Sequence, residues 1–213
     1  KYNYEFSQYD TTHFDADGLF GYEWLPTYFE GRDDRAAYLI YAEESLAGFA
    51  LINRIAECDR PLDWAVAEFF VAYPFRRNGV GSAAMEQVFV RHSGRWQIKY
   101  HSKNLPSAAF WNGIARHYAA GSVETLFGAE DYADGTPATV LCFSVPQRLK
   151  AAASGFWIPA PAGARLMRTE PSVSPAGAPI WIPACPAPLP FALRMHSNLR
   201  PQGFVGSAIF FPC

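Results

Sequence analysis

The sequence predicts an α/β (α+β) domain built on a central sheet, followed by an extension of different composition. In the first 146 residues, apolar positions switch repeatedly between alternation, typical of strands, and helical spacing. Half of the 213 residues are hydrophobic and 18% are charged, which is enough for a sizeable core and excludes a disordered chain. Eleven of the 17 prolines lie in residues 147–213, which marks the extension.

The first 73 residues predict one strand, one helix and three further strands. Residues 2–9 alternate aromatic and polar side chains, as a strand does, and residues 19–29 place apolar side chains at helical spacing. Residues 35–43 and 46–55 are apolar runs that favour strands, joined by a tight hairpin turn. Residues 64–73 predict another strand, which Pro74 ends.

The next stretch alternates helices and strands. Helices are predicted over residues 79–92 and 105–118, where apolar side chains recur at helical spacing, and a strand over 96–101. Residues 123–127 and 138–145 predict two closing strands. This order of elements predicts a sheet flanked by helices.

We place the domain boundary at Pro146. Residues 147–213 are rich in proline and alanine and are predicted to be disordered or loosely packed along the domain. Their Trp-Ile-Pro-Ala segments at Trp157 and Trp181 are only two copies, too few for a repeat architecture. The uncharged run over residues 171–193 contains seven prolines, which makes it a poor membrane span.

The net charge of −2 is the sum of three segments with very different net charges. Residues 1–70 carry a net charge of −9, residues 71–146 of +2, and residues 147–213 of +5. A near-neutral chain gives no reason to expect nucleic acid or an anionic membrane as a partner. The four cysteines show no CxxC spacing and no nearby histidine cluster, so no metal site is predicted and a reduced, cytoplasmic setting is expected.

The segment with the most chemical information runs from Glu68 into the helix that starts near Gly79. Gly79 and Gly81 let the backbone approach a ligand closely, and Arg76 and Arg77 add positive charge. The free N–H groups at a helix N-terminus favour a phosphate. The segment therefore has the character of a pyrophosphate cradle.

Three kinds of nucleotide site compete for this segment. A Walker loop requires a Gly-Lys-Ser/Thr sequence, which is missing. A dinucleotide fingerprint would match from Gly79 to Ala84, but residues 73–78 separate it from its strand and no acid follows about 20 residues on. The third interpretation is an acyl-CoA site with the pattern Arg-x-x-Gly-x-Gly.

This segment resembles the GNAT superfamily of acetyl-CoA-dependent N-acyltransferases. The matching residues are Arg76-Arg-Asn-Gly-Val-Gly, the strand before them and the helix after them. A second match, Asn104-x-x-Ser107-x-x-Phe110-Trp111, resembles the family's Asn-x-x-Ala-x-x-aromatic-Tyr motif at the start of its fourth helix. With the element order, the resemblance covers about two-thirds of the chain and implies a mostly antiparallel sheet.

The resemblance also implies a division of labour in binding acetyl-CoA as co-substrate. Backbone groups of Phe70 and Val71 would bond the pantetheine amides where two strands splay apart. Asn104, Ser107 and Phe110 would line the far side of the CoA arm. Beside the Arg76 side chain, the pyrophosphate would be held by the amides of a single continuous run, which comprises Arg77, Asn78, Gly79, Val80, Gly81 and Ser82.

Glu68 and Tyr118 are the predicted catalytic residues. Glu68 has the family's spacing for a strand base, with Asp63 and Glu57 as rivals and a solvated strand charge as the alternative. Trp111 replaces the tyrosine that donates a proton to the thiolate in many members, and an indole N–H cannot titrate in that role. Tyr118, two helical turns on, could substitute. A thiolate could also leave without a protein acid.

The acceptor is predicted to be the primary amine of a small, cationic molecule. Acidic residues cluster between Asp10 and Asp34, where they could attract a cationic amine beside Trp24, Tyr22, Tyr28 and Phe29, or could form only a solvated face. A catalytically inactive module that binds acyl-CoA is the alternative, and an enzyme of a non-CoA nucleotide is a third. The sequence leaves homodimer formation open.

Overall fold

Seven strands form one sheet with helices on it. The structure, a computed structural model, describes residues 2–9, 13–147 and 164–169. The helices are α1 (Tyr2–Phe6), α2 (Val80–Arg91) and α3 (Leu105–Tyr118), with 3₁₀ turns at Leu25–Phe29 and Tyr73–Phe75. The strands are β1 (Arg35–Ala42), β2 (Ser45–Asn53), β3 (Trp64–Val71), β4 (Gly94–His101), β5 (Glu124–Asp131), β6 (Pro137–Val145) and β7 (Ala164–Arg168).

The sheet is mixed and mostly antiparallel, with the spatial order β5-β6-β4-β3-β2-β1-β7. Among the described strands, β3 and β4 are the one parallel pair, and every other neighbouring pair is antiparallel. The predicted fold class is therefore confirmed. The predicted hairpin is present too, but its turn is Glu43-Glu44, one residue before the predicted Glu44-Ser45, and Glu43 has a φ of 55°.

Each face of the sheet buries its own apolar cluster. On one face, α2 and α3 pack over the sheet through side chains such as Phe89, Trp96 and Ile114, each at most 2% exposed. On the other face, Tyr28, Ala37 and Leu51 form a smaller cluster beneath the 3₁₀ turn at Leu25–Phe29. This second face carries the chemistry described below.

Two predictions for the first 30 residues are wrong. Residues 2–6 form α1 rather than a strand, because their aromatic side chains also recur four residues apart, and the rings of Tyr2 and Phe6 stack at 6.2 Å. Residues 19–29 form turns and the short 3₁₀ segment instead of a helix. The Asp15 carboxylate accepts the backbone N–H groups of Asp17 and Leu19, which closes a turn there.

One strand lies inside the predicted extension. β7 pairs antiparallel with β1 along its whole length, and Leu166 is only 8% exposed in the main core. The backbone N–H of Leu166 also donates to the side-chain oxygen of Gln87 on α2. The sheet thus continues past Pro146, while both Trp-Ile-Pro-Ala segments and the 171–193 run lie outside the described residues. Within the described ranges, no helix is long and apolar enough to span a membrane.

Candidate active site

The parallel strands β3 and β4 separate partway along their length. They pair only from Trp64 to Val66, opposite Trp96 to Ile98. Beyond that point β3 remains paired with β2, and β4 remains paired with β6. On the side toward β4, residues 69–71 therefore have no strand neighbour in the described part of the chain. This is the splayed pair of strands that the sequence predicted at Phe70 and Val71.

An irregularity in β3 directs Glu68 away from the main core. Leu51 pairs with Glu68 while Ile52 pairs with Val66, so Ala67 is an extra residue in β3. The rings of Phe110 and Trp111 on α3 contact Phe69, at centroid distances of 5.5 and 5.2 Å. Glu68 lies on the opposite face.

Two tyrosine hydroxyls act on the Glu68 carboxylate. Tyr2 of α1 donates a hydrogen bond to it, and the Tyr22 hydroxyl lies close enough to favour its ionised form. Burial raises the pKa of Glu68, and the two hydroxyl donors lower it in part, so the net shift is upward. Burial and the nearby carboxylate raise the pKa values of Tyr2 and Tyr22 as well.

A cavity of about 530 Å³ opens beside Glu68. Its volume is within the range typical of sites for small molecules. It lies between α1, the loop around residues 14–25, and strands β2 and β3. Its aromatic walls are Tyr2, Tyr4, Phe14, Phe20, Tyr22 and Phe49.

The loop between β3 and α2 presents a run of backbone amides. Arg77 and Gly79 have positive φ angles of 64° and 78°, and Gly79 precedes the first residue of α2. The amides of residues 77–82 donate no bond to any backbone group of the described residues. Successive amides in such conformations form a concavity that suits an anion.

Arg76 does not point into this concavity. Its Nε donates to the carbonyl oxygen of Val71 at 2.6 Å, and its Nη2 forms an ion pair with Glu5 of α1. The predicted phosphate role of Arg76 would therefore require its side chain to leave these two partners. Arg77 is exposed.

Two glycines allow close approaches around the site. A Cβ on Gly48 would lie 2.0 Å from the carbonyl oxygen of Phe70, closer than any real contact. A Cβ on Gly81 would lie 3.3 Å from the ring of Phe110, which brings the start of α2 against α3. The predicted positions Gly81 and Phe110 are thus neighbours.

Asn104 has a structural role in the described state. Its side chain caps α3 by accepting the backbone N–H of Ser107 at 3.1 Å. Asn104 and Ser107 are both half-buried. They lie at the start of α3, whose Phe110 packs against Gly81 in the first turn of α2. Their contact with the CoA arm stays a prediction.

Tyr118 lies away from Glu68. It is 7% exposed in the main core, and its ring packs against Phe89 of α2 at 5.2 Å. Burial raises its pKa. The structure thus places the two predicted catalytic residues on opposite faces of the sheet, because the extra residue Ala67 turns Glu68 outward while α3 packs Tyr118 inward.

The rival carboxylates are already engaged elsewhere. Asp63 pairs with Arg95 at 2.9 Å, and this guanidinium lowers the pKa of Asp63 to about 2. Glu57 pairs with Lys99 at 2.5 Å. A carboxylate with a low pKa is a poor base near neutral pH, so the geometry favours Glu68.

The described acids of the predicted acidic wall do not line the cavity. Asp34 pairs with Arg32 and Arg35, and Asp15 caps its own turn. Asp10 lies outside the described residues. Of the predicted apolar neighbours, Tyr22 lines the cavity, whereas Tyr28 is buried beside Ala37 and Leu51.

Tyr2 is the site residue that the sequence did not indicate. Its contact with Glu68 spans 66 positions of the chain, and no motif links the two. The usable signal was the spacing of Tyr2 and Phe6, which fits a helix as well as a strand. In the described residues, no group of three or more His, Cys, Asp or Glu side chains is arranged to hold a metal ion.

The family model described as Acetyltransferase (GNAT) family matches residues 3–113. No curated protein matches. An acetyltransferase from Thermus thermophilus has 14% identity and a TM-score of 0.44, over 68% of this chain and 89% of that one.

Two further solved structures are similar to the chain. The ribosomal-protein-S18-alanine N-acetyltransferase of Escherichia coli has 12% identity and a TM-score of 0.42, over 65% of this chain and 84% of that one. NAA60 of Arabidopsis thaliana in complex with acetyl-CoA has 14% identity and a TM-score of 0.36, over 48% and 67%. The family model spans more than half of the length of this chain. The chain therefore belongs to the GNAT family of acetyltransferases, which use acetyl-CoA as co-substrate.

Proposed function

We propose that this chain acetylates the primary amine of a small, cationic molecule by direct attack on the thioester of acetyl-CoA, with Glu68 as the general base. The observation that carries the proposal is the position of the Glu68 carboxylate. It lies on the strand that splays from β4, and it lines a cavity of about 530 Å³. A base at that position can contact an acceptor amine that is bound in the cavity.

The proposed reaction conserves atoms and charge. The bound ammonium first gives one proton to Glu68, directly or through water, and the neutral nitrogen then forms a bond to the thioester carbonyl carbon. As the carbon–sulfur bond breaks, the nitrogen loses its second proton, directly or through water, to the departing thiolate. The products are an N-acetyl amide and free CoA, and Glu68 returns its proton to solvent. A carboxyl group with a raised pKa is better matched to this proton transfer near neutral pH than an ordinary one.

The loop and strand edge supply what a CoA arm requires. The edge of β3 that faces away from β2 would offer the backbone groups of Phe70 and Val71 to the pantetheine amides, once Arg76 releases the carbonyl oxygen of Val71. The amides of residues 77–82 would suit the pyrophosphate, since they lie in the loop and first turn at the start of α2. Asn104, Ser107 and Phe110 of α3 would close the opposite side.

The proton donor predicted for the departing thiolate, Tyr118, lies in the main core and away from Glu68. Its role as general acid stays a prediction that this position does not favour, and its test is Tyr118→Phe. Because its ring is buried against Phe89, we expect the variant to keep kcat within about threefold, below the range of 10²–10⁴ typical of general acid–base catalysis. A larger loss, with the melting temperature unchanged, would restore Tyr118 to the mechanism.

A module that binds acyl-CoA without turnover is the second candidate. Trp111, only 5% exposed, occupies the position of the proton-donating tyrosine in the family pattern. Such a module would keep the amide concavity and the strand edge but lack the acid. This candidate predicts the same binding of acetyl-CoA as the first candidate, but no transfer of the acetyl group to an amine.

Two measurements on the full chain decide between the candidates. Calorimetry with acetyl-CoA measures binding, and thiol detection of released CoA measures turnover against a panel of primary amines. Binding with amine-dependent CoA release supports the enzyme. Binding with no release from any amine supports the module, and no binding refutes both. A chain with Gly81→Arg, which fills the space against Phe110, is the matched control for the CoA site.

A further inference from the structure

The cavity beside Glu68 is mostly apolar, and its charge is concentrated at one point. Three leucines, Leu19, Leu25 and Leu51, line the cavity together with the aromatic side chains, and Glu68 is the one charged residue among the described residues of the lining. The other polar parts of the lining are the tyrosine hydroxyls and the side chain of Asn3. An occupant therefore meets a single carboxylate among rings and aliphatic side chains.

Of the acids that the structure describes, only Glu68 belongs to the lining of the cavity. The Asp34 carboxylate is taken by Arg32 and Arg35, and the Asp15 carboxylate accepts two backbone N–H groups of its own turn. A diamine or polyamine with one nitrogen at Glu68 would find no carboxylate for its second ammonium among the described lining residues. That ammonium would either lie against apolar walls, which is costly, or remain in water at the open side of the cavity, where Leu19 is 63% exposed and the walls contribute nothing to its binding.

We propose that the cavity selects a primary amine carried on an apolar body about the size of one aromatic ring system, in preference to a polyamine. The inference rests on the proposed function, which identifies this cavity as the site where the acceptor amine binds. Apolar walls gain from burying an apolar body, and the single carboxylate matches a single amine. The predicted class of cationic acceptor is thereby narrowed to an arylalkylamine.

The test compares acceptors that differ in body and number of charges. CoA release by the full chain is measured with 2-phenylethylamine and tryptamine, and with putrescine and spermidine, at one pH and saturating acetyl-CoA. We expect kcat/KM to be at least about tenfold higher for the arylalkylamines, equivalent to ~1.4 kcal/mol. Equal or higher kcat/KM with the polyamines would overturn the inference and leave the proposed function intact.

Direct binding separates this inference from the proposed function. Calorimetry with 2-phenylethylamine and with spermidine needs no turnover. If 2-phenylethylamine binds more tightly while no amine releases CoA, the acceptor class stands and the proposed reaction fails. If 2-phenylethylamine does not bind, the inference is overturned whatever the turnover.

A charge placed in the cavity wall supplies the matched variant. Leu19 is 63% exposed and lines the cavity, so Leu19→Glu adds a second carboxylate with little risk to folding. We expect the preference for the arylalkylamine over spermidine to fall by about fivefold or more, since the second ammonium gains a partner. Leu46 is 55% exposed and lies outside the cavity lining, so Leu46→Glu should leave the preference unchanged. An unchanged preference in Leu19→Glu would contradict the proposal.

Discussion

Replacing Glu68 by glutamine tests the central role assigned to this carboxylate. Glutamine has nearly the same shape, and its side-chain oxygen can still accept a hydrogen bond from Tyr2 or Tyr22. It cannot take a proton from the amine. Loss of a general base typically lowers the rate by about 10²–10⁴. We therefore expect kcat to fall by about that factor, with the KM for acetyl-CoA changed little.

The same substitution has a defined effect on stability. Because burial raises the pKa of Glu68 in the folded chain, the ionised carboxylate is less favourable there than in the unfolded chain. The stability that the raised pKa of Glu68 gives to the folded chain is fully present below the unfolded pKa, where the carboxyl group is protonated. This stability is lost as the pH rises through the raised folded pKa. Glutamine does not titrate, so Glu68→Gln should gain relative to the wild type as pH rises. One imperfect hydrogen bond would offset about 1 kcal/mol of that gain.

The assay combines thiol detection of CoA with thermal melts at several pH values. Asp63→Asn is the matched control, because Asp63 is a strand-side carboxylate already paired with Arg95. It should keep kcat while losing an exposed ion pair, which typically contributes less than about 1 kcal/mol. A kcat for Glu68→Gln within tenfold of the wild type, in a folded protein, would refute the role of Glu68 as base.

Three further predictions concern residues that stabilise the site or the edge of the sheet. Tyr2→Phe removes a donor that lowers the Glu68 pKa, so the acid limb of the kcat/KM profile should move to higher pH, and an unmoved limb would contradict this electrostatic role. Gly48→Ala places a methyl group 2.0 Å from the Phe70 carbonyl oxygen, and calorimetry should show weaker acetyl-CoA binding together with a lower melting temperature. Leu166→Ala should lower the free energy of unfolding by about 2–5 kcal/mol in urea melts, and a change near zero would show that β7 contributes little.

The sheet was predictable from the sequence because its apolar periodicity is strong and local. Strands β1 to β4 and helices α2 and α3 lie within a few residues of their predicted bounds. The hairpin turn and the amide loop also follow from local residue types, such as Gly79 before α2. In these segments local preference and burial favour the same structure.

The N-terminal 30 residues could not be predicted in the same way. Aromatic side chains at positions 2, 4 and 6 fit alternation and helical spacing equally, and packing against Phe49 and Phe70 decides the outcome. Two contacts join segments that are far apart in the chain. They are the hydrogen bond from Tyr2 to Glu68 and the ion pair between Arg76 and Glu5. The placement of Tyr118 depends on which face of α3 meets the sheet, which spacing alone does not give.

Strand β7 has a consequence for the behaviour of the chain at high concentration. Without it, β1 would be an outer strand, and the free backbone groups beside its buried apolar residues, among them Ala36, Tyr38 and Ile40, would invite another chain to pair. β7 covers that edge, and its own sequence, Ala-Arg-Leu-Met-Arg, contains two arginines. Charged residues on an outer strand discourage edge-to-edge association. A chain cut after Gln147 should therefore aggregate more readily than the full chain, because the edge that β7 covers would be exposed.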